Sequence, residues 1–147
     1  MKKKVKLQFK KLDPSVNMPS YGSKDAAGLD IEANESTSIY VNTSKIIGTG
    51  LAVEIPDGYE LQVRPRSGLS AKTGLMICNS PGTIDSDYRG EIKIIMRNVD
   101  RDRSYRINKG ERIAQLVLAP VVRASVEEVQ ELSSTERGEN GLGSTGK

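Results

Sequence analysis

Not one of the 147 residues is histidine. The chain therefore lacks the usual general base near neutral pH, the commonest zinc ligand and a component of every Ser-His-Asp triad. Chemistry falls to carboxylates, Lys, Arg, Tyr or a bound hard metal. Cys78, the single cysteine, follows the apolar run Leu75, Met76 and Ile77, so a buried thiol is expected there rather than a nucleophile, and no internal disulfide can form. Two glycine patterns near the C-terminus copy nucleotide-binding loops. Gly141, Gly143 and Gly146 match GxGxxG, but that fingerprint needs a strand before it and a helix after it, and only Lys147 follows. Gly138 and Gly143 have P-loop spacing, yet Ser144 stands where the phosphate-binding Lys must be. Charge is the other constraint: 22 Lys and Arg against 19 Asp and Glu leave a net +3, too mild for the footprint of a nucleic-acid binder. A small anionic ligand suits that balance better.

Strands must hold whatever does the chemistry. Apolar residues recur at spacing two in Val5, Leu7, Phe9; in Leu51, Val53, Ile55; in Tyr59, Leu61, Val63; and in Ile92, Ile94, Met96. That is the period of a strand with one buried face. Pro56-Asp57-Gly58, Ser80-Pro81-Gly82 and Asn108-Lys109-Gly110 supply turns between such runs, and no window keeps a helical stripe for three turns. The expected class is all-β, a sandwich or barrel. One short helix is expected over Ser67–Lys72, with Ser67 capping its first turn and Gly74 closing its last. Residues 133–147 contain Leu142 as their one apolar side chain, so they cannot bury enough surface to offset their ordering entropy. The chain is thus divided into a β-domain over 1–132 and a flexible tail over 133–147.

Five separated segments add specificity that periodicity lacks: AGLDI at 27–31, RPRSGLS at 64–70, GTIDSDYRG at 82–90, GERIAQL at 110–116 and RGENGLGSTG at 137–146. Each alone could be turn chemistry. Together, in order and spacing, they resemble the five motifs of the trimeric dUTPase family, the deoxyuridine 5'-triphosphate nucleotidohydrolases. The resemblance implies a distorted jelly-roll-like β-barrel or sandwich. It also implies magnesium-dependent hydrolysis of dUTP to dUMP and pyrophosphate by water attack on the α-phosphorus, which supplies dUMP for thymidylate synthesis and keeps uracil out of DNA. A magnesium ion bridging phosphate oxygens takes few ligands from protein and keeps water, so one or two carboxylates suffice. By resemblance Asp30 touches the metal through water, Arg66, Ser67 and Gly68 form a phosphate-binding turn, and Gln115 reaches the phosphates. A helix opened by Ser67 would aim free N–H groups at the anion. Arg64 fits a structural ion pair as well as a phosphate contact, and Arg112 is expected to brace the fold.

The third of these segments carries the selectivity. Asp85 is expected to orient and help deprotonate the attacking water, while Asp87 is structural. Tyr88 matches an aromatic ring that leaves no space for a 2'-hydroxyl, although the same residue type also serves as a cross-strand aromatic. Residues 79–84 match a hairpin whose backbone pairs with uracil, with Gly82 permitting close approach. Asn79, Thr83, Ile84 and Lys93 align with substrate-contacting positions, though Lys93 is also the polar member of Ile92-Lys93-Ile94. In the family a tail closes over a site shared between subunits, which implies a homotrimer here. Arg137, Ser144 and Thr145 would then bind the outer phosphates and exclude water, with Gly143 beside them. Leu142 departs from the family pattern, standing where Phe usually stacks on uracil. The rival readings are a dCTP deaminase-like enzyme, which would act on the base, and a non-catalytic β-sandwich binding module; the intact GTIDSDYRG favours dUTPase over the first. Lys2, Lys3 and Lys4 precede an alternating segment rather than an apolar h-region, and no transmembrane span occurs, so a cytoplasmic protein without membrane or nucleic-acid partners is expected.

Overall fold

Side chains of β9 (Glu91–Asn98) alternate: Ile92, Ile94, Met96 and Asn98 point inward, while Lys93 and Arg97 face solvent. That alternation is what period two demands of a strand with one buried face. The structure, a computed structural model, describes residues 4–144 and 146. Its longest strand, β5 (Ser44–Glu54), pairs antiparallel with β9 on one side and with β1 (Gln8–Lys11) on the other; β7 (Leu75–Ile77) completes this sheet beside β9. A second sheet runs in the order β2 (Ser20–Tyr21), β3 (Leu29–Glu32), β11 (Arg112–Pro120), β6 (Tyr59–Arg64), β8 (Gly82–Ile84). A small third sheet pairs β4 (Thr37–Ile39) with β10 (Tyr105–Ile107). All three contribute to one core built largely of Ile, Leu and Val, among them Ile31, Ile39, Ile47, Leu61, Ile94, Ile113 and Leu116. The architecture is all-β and jelly-roll-like with one short helix, as the sequence leads one to expect.

Buried polar groups are few and mostly satisfied. The Asn98 amide donates to the carbonyls of Ile39 at 3.0 Å and Arg103 at 2.8 Å, and its oxygen accepts the Asp100 N–H at 2.9 Å. One side chain thus ties the end of β4 to the loop between β9 and β10. Its neighbour Gly74 has no room for a side chain, because a Cβ there would lie 2.6 Å from the Asp100 Cβ.

Several expectations change in detail. The first strand begins at Gln8, not Val5, because Gln8 already pairs with Glu54, where β5 ends. The helix α1 does span Ser67–Lys72, but Ser67 lies inside it: Arg66 occupies the N-cap position, and no side-chain cap bond forms. Gly74 does not close it either. Thr73 ends the helix, its N–H and hydroxyl both bonded to the Leu69 carbonyl, the hydroxyl at 2.7 Å. Cys78 is exposed, contrary to expectation: with Leu75 and Ile77 buried, the alternation puts Met76 and Cys78 outside, and the thiol lies 3.7 Å from the Ser44 hydroxyl. Beyond Pro120 every described residue is exposed and none is in a strand or helix.

Candidate active site

β8 is an edge strand, paired among the described residues with β6 alone (Val63 opposite Gly82, Leu61 opposite Ile84). Its other edge therefore keeps unpaired backbone donors and acceptors, which is what recognition of a flat hydrogen-bonding group requires. Gly82 is buried between strands: a Cβ would meet the Val63 Cβ at 3.1 Å and the Asn79 Nδ2 at 3.2 Å. After Ile84 the chain turns, and the Tyr88 N–H donates to the Asp85 carbonyl at 3.1 Å. The Tyr88 ring folds back over Gly90, where a Cβ would lie 2.6 Å from the ring Cζ, and its hydroxyl donates to the Glu91 carbonyl at 2.9 Å. Asn79, Gly82, Thr83, Ile84, Asp85, Tyr88 and Lys93 line one cavity of about 200 Å³, together with Glu91. Seven of the sequence-derived residues are thus gathered by a single hairpin and the start of β9. Asp85 also borders a second, more polar cleft with Asp57, Glu60, Asp87 and Arg123.

A separate cluster forms where β3, β11 and β6 lie side by side. Register sets Asp30 opposite Gln115, and Gln115 opposite Arg64. The Asp30 carboxylate accepts from Arg66 Nε at 2.9 Å and lies 3.5 Å from Arg112 Nη1. Its side chain is 16% exposed, so this paired carboxylate is only partly screened by water. Gln115 donates to the Pro65 carbonyl at 2.9 Å and lies over Gly28, where any side chain would collide with its amide. Arg64 makes no ion pair among the described residues; its guanidinium bonds the Gln62 amide oxygen at 2.6 and 3.1 Å. Arg112, more than half exposed, meets Asp30 at the edge of this cluster.

Arg66, Gly68, Lys72 and Arg112 line a cleft of about 530 Å³ beside this cluster, and Ser67 is exposed next to Gly68. Glu111, the acidic member of the lining, is engaged by the Tyr105 hydroxyl at 2.6 Å and the Asn108 N–H at 3.0 Å. Arg66, Lys72 and Arg112 stand against Glu111 in the lining and Asp30 beside it, so the cleft keeps a net positive charge, which suits an anion. Lys72 went unnoticed in the sequence, although it follows Gly68 by four residues in an expected helix and so shares its face. Glu91 went unnoticed too, and nothing in its local pattern marks it. The two cavities share no lining residue. Among the described residues no group of three His, Cys, Asp or Glu is arranged to hold a metal by itself. Asp30, a partly exposed carboxylate paired with Arg66 and Arg112, is compatible with a magnesium ion reached through water, the ion's other ligands being phosphate and water.

The tail residues stand apart from both cavities. Arg137 Nε donates to the Asn140 carbonyl at 2.9 Å and the Ser144 N–H to the Gly141 carbonyl at 3.0 Å, bonds internal to the segment. Leu142 is fully exposed at φ 47°, followed by Gly143 at φ 85°. Thr145 lies outside the described residues. No helix of the described residues is long and apolar enough to cross a membrane.

Comparison with known proteins supplies what one chain's geometry does not. A family model described as dUTPase matches residues 15–146. The deoxyuridine 5'-triphosphate nucleotidohydrolase of Nautilia profundicola is 54% identical over 143 residues, spanning 97% of this chain and 100% of that protein. A mutant Staphylococcus bacteriophage 80alpha dUTPase solved with dUpNHpp superposes with a TM-score of 0.90 at 36% identity, covering 97% of this chain and 99% of that one. A mutant dUTPase of phage phi11 of S. aureus, described for its coordination of a structural Mg(II) ion, superposes with a TM-score of 0.80 at 30% identity, covering 88% and 99%.

Proposed function

Because the chain belongs to the dUTPase family, we propose that it hydrolyses dUTP to dUMP and pyrophosphate with Asp85 as the catalytic carboxylate. One observation carries the assignment of the site: Asp85 and Tyr88 close a single hydrogen-bonded turn and line the same cavity as the free edge of β8. Uracil pairs with the backbone of that edge, and the buried Gly82 keeps the approach close. The Tyr88 ring, fixed over Gly90, lies under the deoxyribose and leaves no room for a 2'-hydroxyl. Asp85 orients a water for attack on the α-phosphorus in line with the departing pyrophosphate. Asn79, Thr83, Ile84 and Lys93 complete the nucleoside pocket.

The cationic cleft beside Asp30 suits the triphosphate. Arg66, Ser67, Gly68 and Gln115 bind its oxygens, and Asp30 holds a magnesium ion through water. That ion, when bound, neutralises phosphate charge and favours departure of the leaving group. The Asp85 cavity and the cleft beside Asp30 share no lining residue, which fits a site assembled from the cleft of one subunit and the hairpin of another. This favours a homotrimer with shared sites, in which the tail of residues 133–147 acts as a separate flexible lid over the β-domain of 1–132. Arg137, Leu142, Gly143, Ser144 and Thr145 close it over the nucleotide. A cytoplasmic enzyme that supplies dUMP for thymidylate synthesis and keeps uracil out of DNA fits this chemistry.

Pyrophosphate release tests the proposal, with dUTP as substrate, dCTP and UTP as controls, and magnesium present or chelated. Release is expected from dUTP alone and only with the divalent ion. Asp85→Asn is expected to stay folded and nearly inactive. A variant retaining more than a tenth of wild-type turnover, a barrier change under about 1.4 kcal/mol, would remove Asp85 from that role.

A further inference from the structure

Glu91 opens β9 and is bonded at both ends. Its side chain reaches across to β5 at a place where the ladder is irregular: Gly48 pairs with Lys93 and Ala52 with Glu91, so three residues of β5 stand opposite Ile92 alone. Such a bulge leaves backbone groups without ladder partners. Two side chains satisfy them. The Thr49 hydroxyl donates to the Ile92 carbonyl at 2.6 Å, and the buried Gly50 donates its N–H to Glu91 Oε1 at 3.0 Å. Gly50 has a φ of 68°, a left-handed conformation that glycine adopts without strain. The carboxylate is seated tightly on neighbouring backbone, since a Cβ on Gly48 would lie 2.6 Å from the same Oε1.

The other end of Glu91 is its carbonyl, which accepts the Tyr88 hydroxyl at 2.9 Å. Tyr88 is itself 44% exposed, so little packing holds its ring beyond Gly90 beneath it and this one bond. The position of the carbonyl is in turn decided by the first residue of β9, where a strand would ordinarily fray. Anchoring the Glu91 side chain in the β5 bulge stops that fraying. A path of two hydrogen bonds therefore runs from the Gly50 amide, through Glu91, to the plane of the Tyr88 ring.

We propose that Glu91 is a positioning residue that fixes the Tyr88 ring and thereby sets the discrimination of this site against 2'-hydroxyl nucleotides. The inference rests on the dUTPase reading and names what maintains its sugar selectivity. Glu91 touches neither phosphate nor water in this account. Its loss acts on KM for dUTP and on turnover of UTP more than on kcat for dUTP.

The experiment compares kcat/KM for dUTP and UTP in wild type, Glu91→Ala, Glu91→Gln, Tyr88→Phe and the double variant Glu91→Ala/Tyr88→Phe. Removal of one hydrogen bond predicts that the dUTP/UTP ratio falls about five- to ten-fold in Glu91→Ala and in Tyr88→Phe. Glu91→Gln, which keeps an oxygen for the Gly50 N–H, is expected to stay within about two-fold of wild type. Because both single variants cut the same path, the double variant should lose no more than the worse single one. A merely structural Glu91 would lower the melting temperature of Glu91→Ala and leave the ratio unmoved, and that result overturns the proposal. Additive losses in the double variant overturn it as well. Should Glu91→Ala fail to fold, Glu91→Asp, whose shorter side chain loses its reach to the Gly50 N–H, takes its place, a fallen ratio supporting the proposal and an unmoved one overturning it; an unchanged ratio in Tyr88→Phe overturns it in either case. Wild-type protein that does not cleave dUTP, or cleaves UTP equally well, sinks the functional reading and this inference together. Selective wild type with selective variants sinks only this inference.

Discussion

Leu142 stands, by the resemblance of the tail motif, where a Phe is expected, and its surroundings make that departure testable. The side chain is fully exposed at φ 47°, a region in which a non-glycine residue is strained, and Phe at the same position would bear the same backbone cost. Exchanging the two therefore isolates the side-chain contact that the proposed closure of the tail would make. Stacking of a base on an aromatic ring contributes about 1 to 3 kcal/mol in single-strand binding proteins, of which Leu keeps the apolar part and loses the flat face. Leu142→Phe is expected to lower KM for dUTP by a few-fold and Leu142→Ala to raise it, read from steady-state kinetics. If neither constant moves in either variant, Leu142 does not cover the base and the tail closes on phosphate contacts alone.

At the scale of elements, the turn between β10 and β11 is held by a proton. Tyr105 on β10 donates to Glu111 at 2.6 Å, and this bond, with some burial and the nearby Glu111 charge, pushes the tyrosine up to about 12 from the usual 10. A folded-state value above the unfolded one means the contribution to stability is whole below pH 10 and disappears as pH rises toward 12. Thermal melts should show Tyr105→Phe less stable than wild type at pH 8, with the gap closing between pH 10 and 12. A gap independent of pH would mean that packing of the ring, rather than the bond to Glu111, supplies the stability. The tail makes the opposite prediction. Its described hydrogen bonds are internal and its side chains exposed, so deleting residues 134–147 should abolish most activity while leaving the melt nearly unchanged. A truncated protein that unfolds would make the tail a structural element.

At the scale of the whole molecule, two features of the single chain bear on the proposed trimer. Its nucleoside cavity and its cationic cleft share no lining residue, and it leaves Ile46, Met76, Val122, Val126 and Leu132 exposed. Apolar side chains in such number call for cover, and a second copy of the chain would supply it while closing the site. Native mass spectrometry is expected to give a trimer. A monomer fully active at nanomolar concentration would dispose of the shared site.

Period-two patterning was enough to place β6 and β9, because their side chains alternate between core and outer face, whereas in β5 it marked only the end at Leu51 and Val53, since Thr49 to Val53 are buried in an unbroken run. The span of α1 matched its expected range although neither expected device ends it: Arg66 rather than Ser67 took the N-cap position, and Thr73 rather than Gly74 closes the helix. The five motifs pointed to Asp85, Tyr88 and the β8 edge, and the hairpin gathers them because they are near neighbours in the chain. Strand β11 was not legible: buried at the centre of its sheet, it reads as the nearly continuous apolar run Ile113 to Ala119, broken by Gln115, with no alternation to detect. Cys78 was misplaced because an apolar run does not say which of its members faces out; register against β9 decided that. Glu91 is the clearest case of what sequence left open. Its partner amide belongs to Gly50, 41 residues away, and exists only because β5 bulges there, so its role depends on a pairing between distant segments that no local pattern encodes.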